Sequence, residues 1–284
     1  MQVATTIEEI RRCVAQARAG GQRVGLVPTM GALHVGHVSL MEAAAARCES
    51  VVVSLFVNPT QFGPGEDYDA YPKPFEKDIE ICEKHGVAAV FAPGPEEMYP
   101  RENLTWVGVE KLTESLCGRS RPIHFRGVTT VCTKLFNIVG PDMAFFGQKD
   151  AQQAIVIQRM AADLNMPLEI VVCPTVREPD GLAVSSRNRY LSPQQRRDAT
   201  ALYRALEKCR ELIDAGAADA DEIREQMRAI LAPIPDLEVE YISFVDAESL
   251  QELQRVQGRV LIALAARLGP ARLIDNILVD KAGR

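Results

Sequence analysis

A chain of 284 residues is long enough to bury a large core and lies near the size at which one core divides, so one main domain with a smaller companion is expected. Hydrophobic residues at 47% and charged residues at 25% describe an ordinary globular protein, which excludes wholesale disorder and fibrous repeats. A formal charge of −6 argues against a surface that holds long nucleic acid through its phosphates, and no apolar run approaches the roughly 20 residues needed to cross a bilayer.

The N-terminal stretch "MQVATTIEEIRRCVAQARAG" lacks the apolar core of a signal peptide and reads as an amphipathic helix with Ile7, Ile10 and Val14 on one face. Apolar runs and helical periods then alternate. "RVGLVPT" (23–29) precedes a helix from about His37, and "ESVVVSLFV" (49–57) precedes a turn-rich loop and a helix near 75–85. "VAAVFAP" (87–93), the helix "TTVCTKLFNIV", "DMAFF" (142–146), a helix over 151–164 and "LEIVVCPTV" (168–176) follow. Strands that are apolar throughout and separated by helices imply a doubly wound parallel sheet covered on both faces, an α/β domain. Beyond "SSRNRYLSP" the texture changes to helical patterns over about 194–215 and 219–232 and then "LEVEYISFV", "GRVLIALAARLG" and "ARLIDNILV", which predict a small α+β domain. Seven cysteines without a C-x-x-C pair point neither to zinc nor to a disulfide framework, and read as core thiols of a reducing cytosol.

Ligands of an open parallel sheet bind beyond the carboxyl ends of its strands, and "PTMGALHVGH" stands there. Gly31 and Gly36 allow close backbone approach, the helix start offers amide N–H groups to phosphate, and His34 and His37, three apart, can present two imidazoles to one ligand. "FVNPTQF" follows the next strand, with Asn58 and Gln61 as amides for a substrate rich in hydroxyl and carboxylate groups; the competing role of either is to close a turn before Pro59. In "FFGQKDAQQ", Lys149 reaches phosphate as a point charge, Asp150 is alternatively an N-cap, and Gln153 lies one turn on. Ser185, Ser186 and Arg187 in "LAVSSRN" form a phosphate clamp if their loop closes. The H-x-G-H pattern is similar to the signature of nucleotidyltransferases that attack the α-phosphate of ATP, class I aminoacyl-tRNA synthetases included.

Taken together, "VPTMGALHVGH", "FVNPTQF", "HFRGVTTV", "FFGQKD" and "DGLAVSSRNRYL" resemble the pantothenate synthetase family in order and spacing, and "RLIDN" fits too, so that the resemblance covers about residues 20–280. It implies a Rossmann-like domain over 1–183 that binds ATP and pantoate, a small C-terminal lid domain over 184–284, a homodimer, and a cytoplasmic location without nucleic-acid or membrane partners. The implied reaction condenses pantoate with β-alanine at the expense of ATP, with Mg²⁺, through a pantoyl adenylate, releasing AMP and pyrophosphate. Carried over by position, the ATP site comprises Met30, Gly31, Ala32, Leu33, His34, Val35, Gly36, His37, Gly147, Gln148, Lys149, Asp150, Val176, Val184, Ser185, Ser186 and Arg187. His34, His37, Lys149 and Arg187 are its catalytic members, with His37 the proton donor. Gln61 and Gln153 hold pantoate, assisted by Asn58 and Arg126; the Mg²⁺ ligands are not identified. Val184 departs from the longer Met or Leu usual before "SSRN". The rival readings are another H-x-G-H nucleotidyltransferase and an inert ATP-binding scaffold: the acidic charge and the missing basic tRNA-binding appendage count against an aminoacyl-tRNA synthetase-like adenylating enzyme, Gln61 and Gln153 in an uncharged pocket count against a cytidylyltransferase, and a scaffold would not need both histidines, Lys149 and Arg187.

Overall fold

Strands buried on both sides send alternate side chains into two different cores. In the computed structural model, which describes residues 1–281, β3 (Ser50–Leu55) does so: Val52 joins one apolar cluster while Val51 and Val53 join another. In β2 (Val24–Thr29) Val24 and Leu26 face the first cluster and Val27 the second, and in β5 (Met143–Gly147) Ala144 and Phe146 oppose Phe145. The first cluster is closed by α1 (Ile7–Ala19) and α6 (His124–Val139), the second by α2 (Val35–Ala45) and α3 (Phe75–Lys84). This is the doubly wound arrangement that the apolar runs imply.

Among the described residues six strands form one sheet in the order β1-β4-β3-β2-β5-β6, with β1 (Gln2–Ala4), β4 (Ala89–Phe91) and β6 (Glu169–Cys173) completing it. Every pairing in it is parallel. The chain runs outward from β2 to β3 and β4, then returns to place β5 on the other side of β2, so the order reverses between β2 and β5, where such sheets bind ligands. The edge strand β1 was not expected; three residues give no readable period.

The chain clusters into two compact units: Met1–Gly147 with Val156–Pro174, and Gln148–Ile155 with the residues from Thr175 onward. In the second, β7 (Leu237–Asp246), β8 (Gly258–Leu268) and β9 (Ala271–Lys281) form an antiparallel sheet. Leu202, Leu206 and Cys209 of α9 (Thr200–Asp214) and Ile223, Met227 and Leu231 of α10 (Ala220–Leu231) cover Phe244, Ile262, Leu264 and Leu273. The expected helix over 194–215 is divided at Ala199 into a short α8 (Pro193–Asp198) and α9. The last three positions of the expected 184–284 domain lie outside the described residues.

All seven cysteines are free, and Cys48, Cys82, Cys132, Cys173 and Cys209 are buried. Desolvation pushes the thiols of Cys82, Cys132 and Cys209 up to about 12. At pH 8 their thiolate fraction is then on the order of 10⁻⁴. Thiol titration of the native protein should therefore show Cys13 and Cys117 reacting first and the five buried thiols reacting only on unfolding; rapid modification of Cys132 in the folded protein would contradict this core.

Candidate active site

The segment leaving β2 turns sharply. Gly31 and Ala32 take left-handed backbone angles, φ 80° and 51°, a conformation that glycine adopts freely and that costs an alanine about 1–2 kcal/mol. The turn is held from below by Asp78 on α3, which is 2% exposed and accepts from the Ala32 and Leu33 amides, both at 2.8 Å. A Cβ at Gly31 would stand 2.9 Å from an Asp78 carboxylate oxygen, so glycine is needed for space as well as for φ. Asp78 was not among the expected site residues. An acid in the first turn of a helix reads as an exposed charge favoured by the helix dipole, and nothing in its neighbourhood reveals partners 45 and 46 positions away.

α2 begins at Val35, not His37, because His34 is its N-cap, with extended φ −144° and ψ 176°. Its Nδ1 accepts from the Gly36 amide at 3.2 Å, while Nδ1 of His37 accepts from the His34 amide at 3.3 Å, a capping box built from two imidazoles. The rings stack with centroids 4.0 Å apart. The amides of Gly36 and His37 are thereby occupied, the second by the His34 carbonyl at 2.8 Å, which corrects the expectation of an open amide cradle for phosphate. An imidazole that accepts at Nδ1 carries its proton at Nε2 when neutral. The cap thus fixes both histidines as Nε2–H donors.

Beyond β3, Asn58 is 1% exposed and caps the 3₁₀ turn Pro59–Gln61. Its Oδ1 accepts from the Thr60 and Tyr99 hydroxyls at 3.0 Å each, and its Nδ2 donates to Gln61 Oε1 and to the Gly127 carbonyl, each at 3.1 Å. Asn58 is therefore the turn-closing residue, and its amide has no polar atom to spare for a ligand. Its effect falls on Gln61: with Oε1 taken, the Gln61 amide is oriented so that Nε2 faces Met30 Sδ at 3.2 Å. A thioether is a weak acceptor, so Gln61 Nε2 is a buried donor poised for a better partner such as a carboxylate or hydroxyl oxygen.

The Gln61 carbonyl is held in turn by His124 Nδ1 at 3.0 Å and by Arg121. Arg121 also forks onto Glu66, which burial alone would push up but which this guanidinium holds below the usual carboxylate range. α6 starts at His124, five residues before the expected Thr129, and places Arg126 on the exposed face of its first turn, with the guanidinium 4.6 Å from the Trp106 ring. No side-chain hydrogen bond among the described residues joins Arg126 to Asn58 or Gln61; its guanidinium lies on Trp106 instead. A surface cavity of about 570 Å³, lined by Pro59, Thr60, Tyr99, Trp106 and their neighbours, contains neither histidine.

In the second unit, Lys149 Nζ lies 3.7 Å from the Asp150 carboxylate in a 3₁₀ turn, Gln148–Asp150. Gln153 is half-buried on the helix that follows, α7 (Ala151–Asp163), with no side-chain hydrogen bond among the described residues. The Val184 amide donates to the Val176 carbonyl at 3.0 Å, which brings these two expected nucleotide neighbours together. Ser185 caps the 3₁₀ turn Ser186–Tyr190 by accepting from the Arg187 amide at 3.3 Å.

A family profile described as pantoate-beta-alanine ligase matches residues 2–278. A pantothenate synthetase of Pelotomaculum thermopropionicum is 55% identical over 281 residues, 99% of this chain and 100% of that one. One of Moorella thermoacetica is 54% identical over 99% of each. The crystal structure of pantothenate synthetase from Thermus thermophilus aligns with TM-score 0.93 at 45% identity, covering 98% of this chain and 99% of that one. A pantoate-beta-alanine ligase from Francisella tularensis, solved with beta-gamma ATP and beta-alanine, aligns with TM-score 0.79 at 34% identity over 98% and 97%.

Gly127 is the point at which α6 meets the Gln61 turn. A Cβ there would lie 2.4 Å from the Thr60 carbonyl oxygen and 2.6 Å from Gln61 Cα, and backbone cannot rotate away as a side chain can. Gly127→Ala should lower unfolding free energy by about 1–3 kcal/mol in urea titration. A change within about 0.5 kcal/mol, of the size expected for a neutral surface substitution, would mean that helix and turn do not meet as described.

Proposed function

The chain belongs to the pantoate-β-alanine ligase family, an amide-forming ligase that makes pantothenate from pantoate and β-alanine with ATP as a substrate, and on that premise we propose how its residues divide the work. A carboxylate is a poor acyl donor because oxide is a poor leaving group. Transfer of AMP to the carboxylate supplies a good one. A pantoate carboxylate oxygen attacks the α-phosphorus and the bond to pyrophosphate breaks; the β-alanine amine then attacks the acyl carbon and AMP departs, taking with it one of the original carboxylate oxygens.

The observation that supports this reading is the histidine cap of α2. Two Nε2–H donors fixed by their own backbone bonds are oriented before any nucleotide arrives, and preorganised donors stabilise developing phosphate charge without reorganisation during the step. Lys149 and Arg187 would add positive charge along the triphosphate, and Ser185, Ser186, Val176 and Val184 would line the nucleotide beside Gly147, Gln148 and Asp150. Gln61 Nε2 would donate to a pantoate oxygen and Gln153 would complete the hold on that substrate. Arg126, whose guanidinium lies on Trp106, would assist the two glutamines. Mg²⁺ would enter with the triphosphate, whose oxygens are its natural ligands; among the described residues no three His, Cys, Asp or Glu side chains cluster into a cage. Among the described residues no helix is long and apolar enough to cross a membrane. A cytoplasmic homodimer, with the residues from 184 onward as a lid, completes the proposal.

Two measurements test it. Enzyme supplied with ATP and pantoate labelled with ¹⁸O in its carboxylate, then with β-alanine, should deliver label to AMP; unlabelled AMP excludes the adenylate. His37→Ala should lower kcat by roughly 10²–10³ with little change in the KM for ATP. The lost cap bond costs only about 1 kcal/mol of helix stability, so a loss confined to KM would contradict the donor role.

A further inference from the structure

The "RLIDN" segment on β9 takes no part in the chemistry above, yet it contains two of the most deeply buried polar side chains of the second unit, Asp275 at 3% exposure and Asn276 at 5%. Asn276 spends its whole side chain on one target. Its Nδ2 donates to the Gln148 carbonyl at 3.0 Å and to the Lys149 carbonyl at 2.9 Å, and its Oδ1 accepts from Gln148 Nε2 at 2.9 Å. The partners lie 127 and 128 positions away along the chain. Asn276 is itself anchored: Asp275 Oδ1 accepts from its backbone amide at 2.7 Å, and the same carboxylate receives the Arg177 guanidinium in a fork of 2.6 and 2.9 Å. Arg177 is fixed by the Gly181 carbonyl at 3.0 Å and stacks 4.7 Å from the Tyr203 ring.

A buried asparagine whose donors both meet backbone carbonyls of one short turn sets the path of that turn, because any rotation leaves a polar atom unpaired. The turn in question presents Lys149. We propose that Asn276 is a positioning residue for Lys149, so that the C-terminal strand β9 sets where the ammonium of the nucleotide site stands. The inference rests on the reading of Lys149 as a phosphate contact. Asp275 and Arg177 act one step further back, as the anchor of Asn276. The arrangement makes the catalytic use of Lys149 conditional on the fold of the second unit's sheet, to which β9 contributes an edge.

A double-mutant cycle separates positioning from mere stabilisation, since residues that act through one another give non-additive losses. Lys149→Ala, Asn276→Ala and the double variant are compared by kcat at saturating ATP, pantoate and β-alanine, at a temperature below every variant's Tm. Asn276→Ala is expected to lower kcat about tenfold in the wild-type background, with the pantoate KM within about twofold, and to lower it less than about twofold further once Lys149 is absent. If Asn276→Ala folds poorly, Asn276→Asp serves: it keeps the volume and the acceptor to Gln148 but turns a carboxylate oxygen onto two carbonyls, and the same non-additive loss is expected. A tenfold loss in both backgrounds, or a lowered Tm with kcat unchanged, overturns the inference. A Lys149→Ala enzyme with unaltered kcat overturns the reading of Lys149, and with it the role given to Asn276.

Discussion

The histidine segment of the first unit depends on the need to satisfy backbone amides where β2 passes into α2. A chain that turns through two left-handed residues and then starts a helix exposes a run of N–H groups, each costly to leave unpaired. Asp78 takes two, His34 takes the Gly36 amide and His37 takes the His34 amide. With Nδ1 of each ring accepting from the backbone, a neutral ring carries its proton at Nε2, and the helix start sets the direction of both rings.

The same logic recurs at the other expected segments: a buried residue whose polar atoms are all bonded fixes the orientation of its neighbour. Asn58 uses every polar atom on the turn, Tyr99 and Gly127, and thereby orients Gln61 with its donor against a thioether. Asn276 does the corresponding work for the turn of Lys149. Each is a buried amide, and buried amides are worth their desolvation only when fully bonded. Gln61 is the exception, and a buried donor that faces only sulfur is an incomplete network that a substrate oxygen would complete.

Much of this was legible in the sequence. The parallel strands announced themselves as apolar runs because both of their faces are buried, and the site segments announced themselves by standing at strand ends beside Gly, His, Asn and Lys. What was not legible was non-local. The sequence places His34 ahead of a helix that starts at about His37, since imidazole is not among the side chains usually preferred at an N-cap. The first turn of α6 was missed because "HFRG" carries a glycine that is there for the close approach of Gln61, a reason invisible in a linear reading. The spacing of Asn58 fits a ligand contact and a turn equally, and its bonds to Tyr99 and Gly127, 41 and 69 positions away, are those of the turn. Asp78 has no signature at all, and "RLIDN" marks Asn276 as part of the resemblance without saying what it does, because a bracing residue is recognised only by what it touches.

The central claim is that the histidine cap fixes the protons of His34 and His37. Long-range ¹H–¹⁵N correlation spectra of imidazole-labelled protein, assigned with single His→Gln variants and recorded above the titration range of both rings, report the protonated nitrogen directly. The account predicts that both rings are Nε2–H tautomers in the free enzyme and remain so when a non-hydrolysable ATP analogue is added. An Nδ1–H tautomer at either position would mean that the ring does not accept from its helix, and the two donors would no longer be organised in advance of the nucleotide.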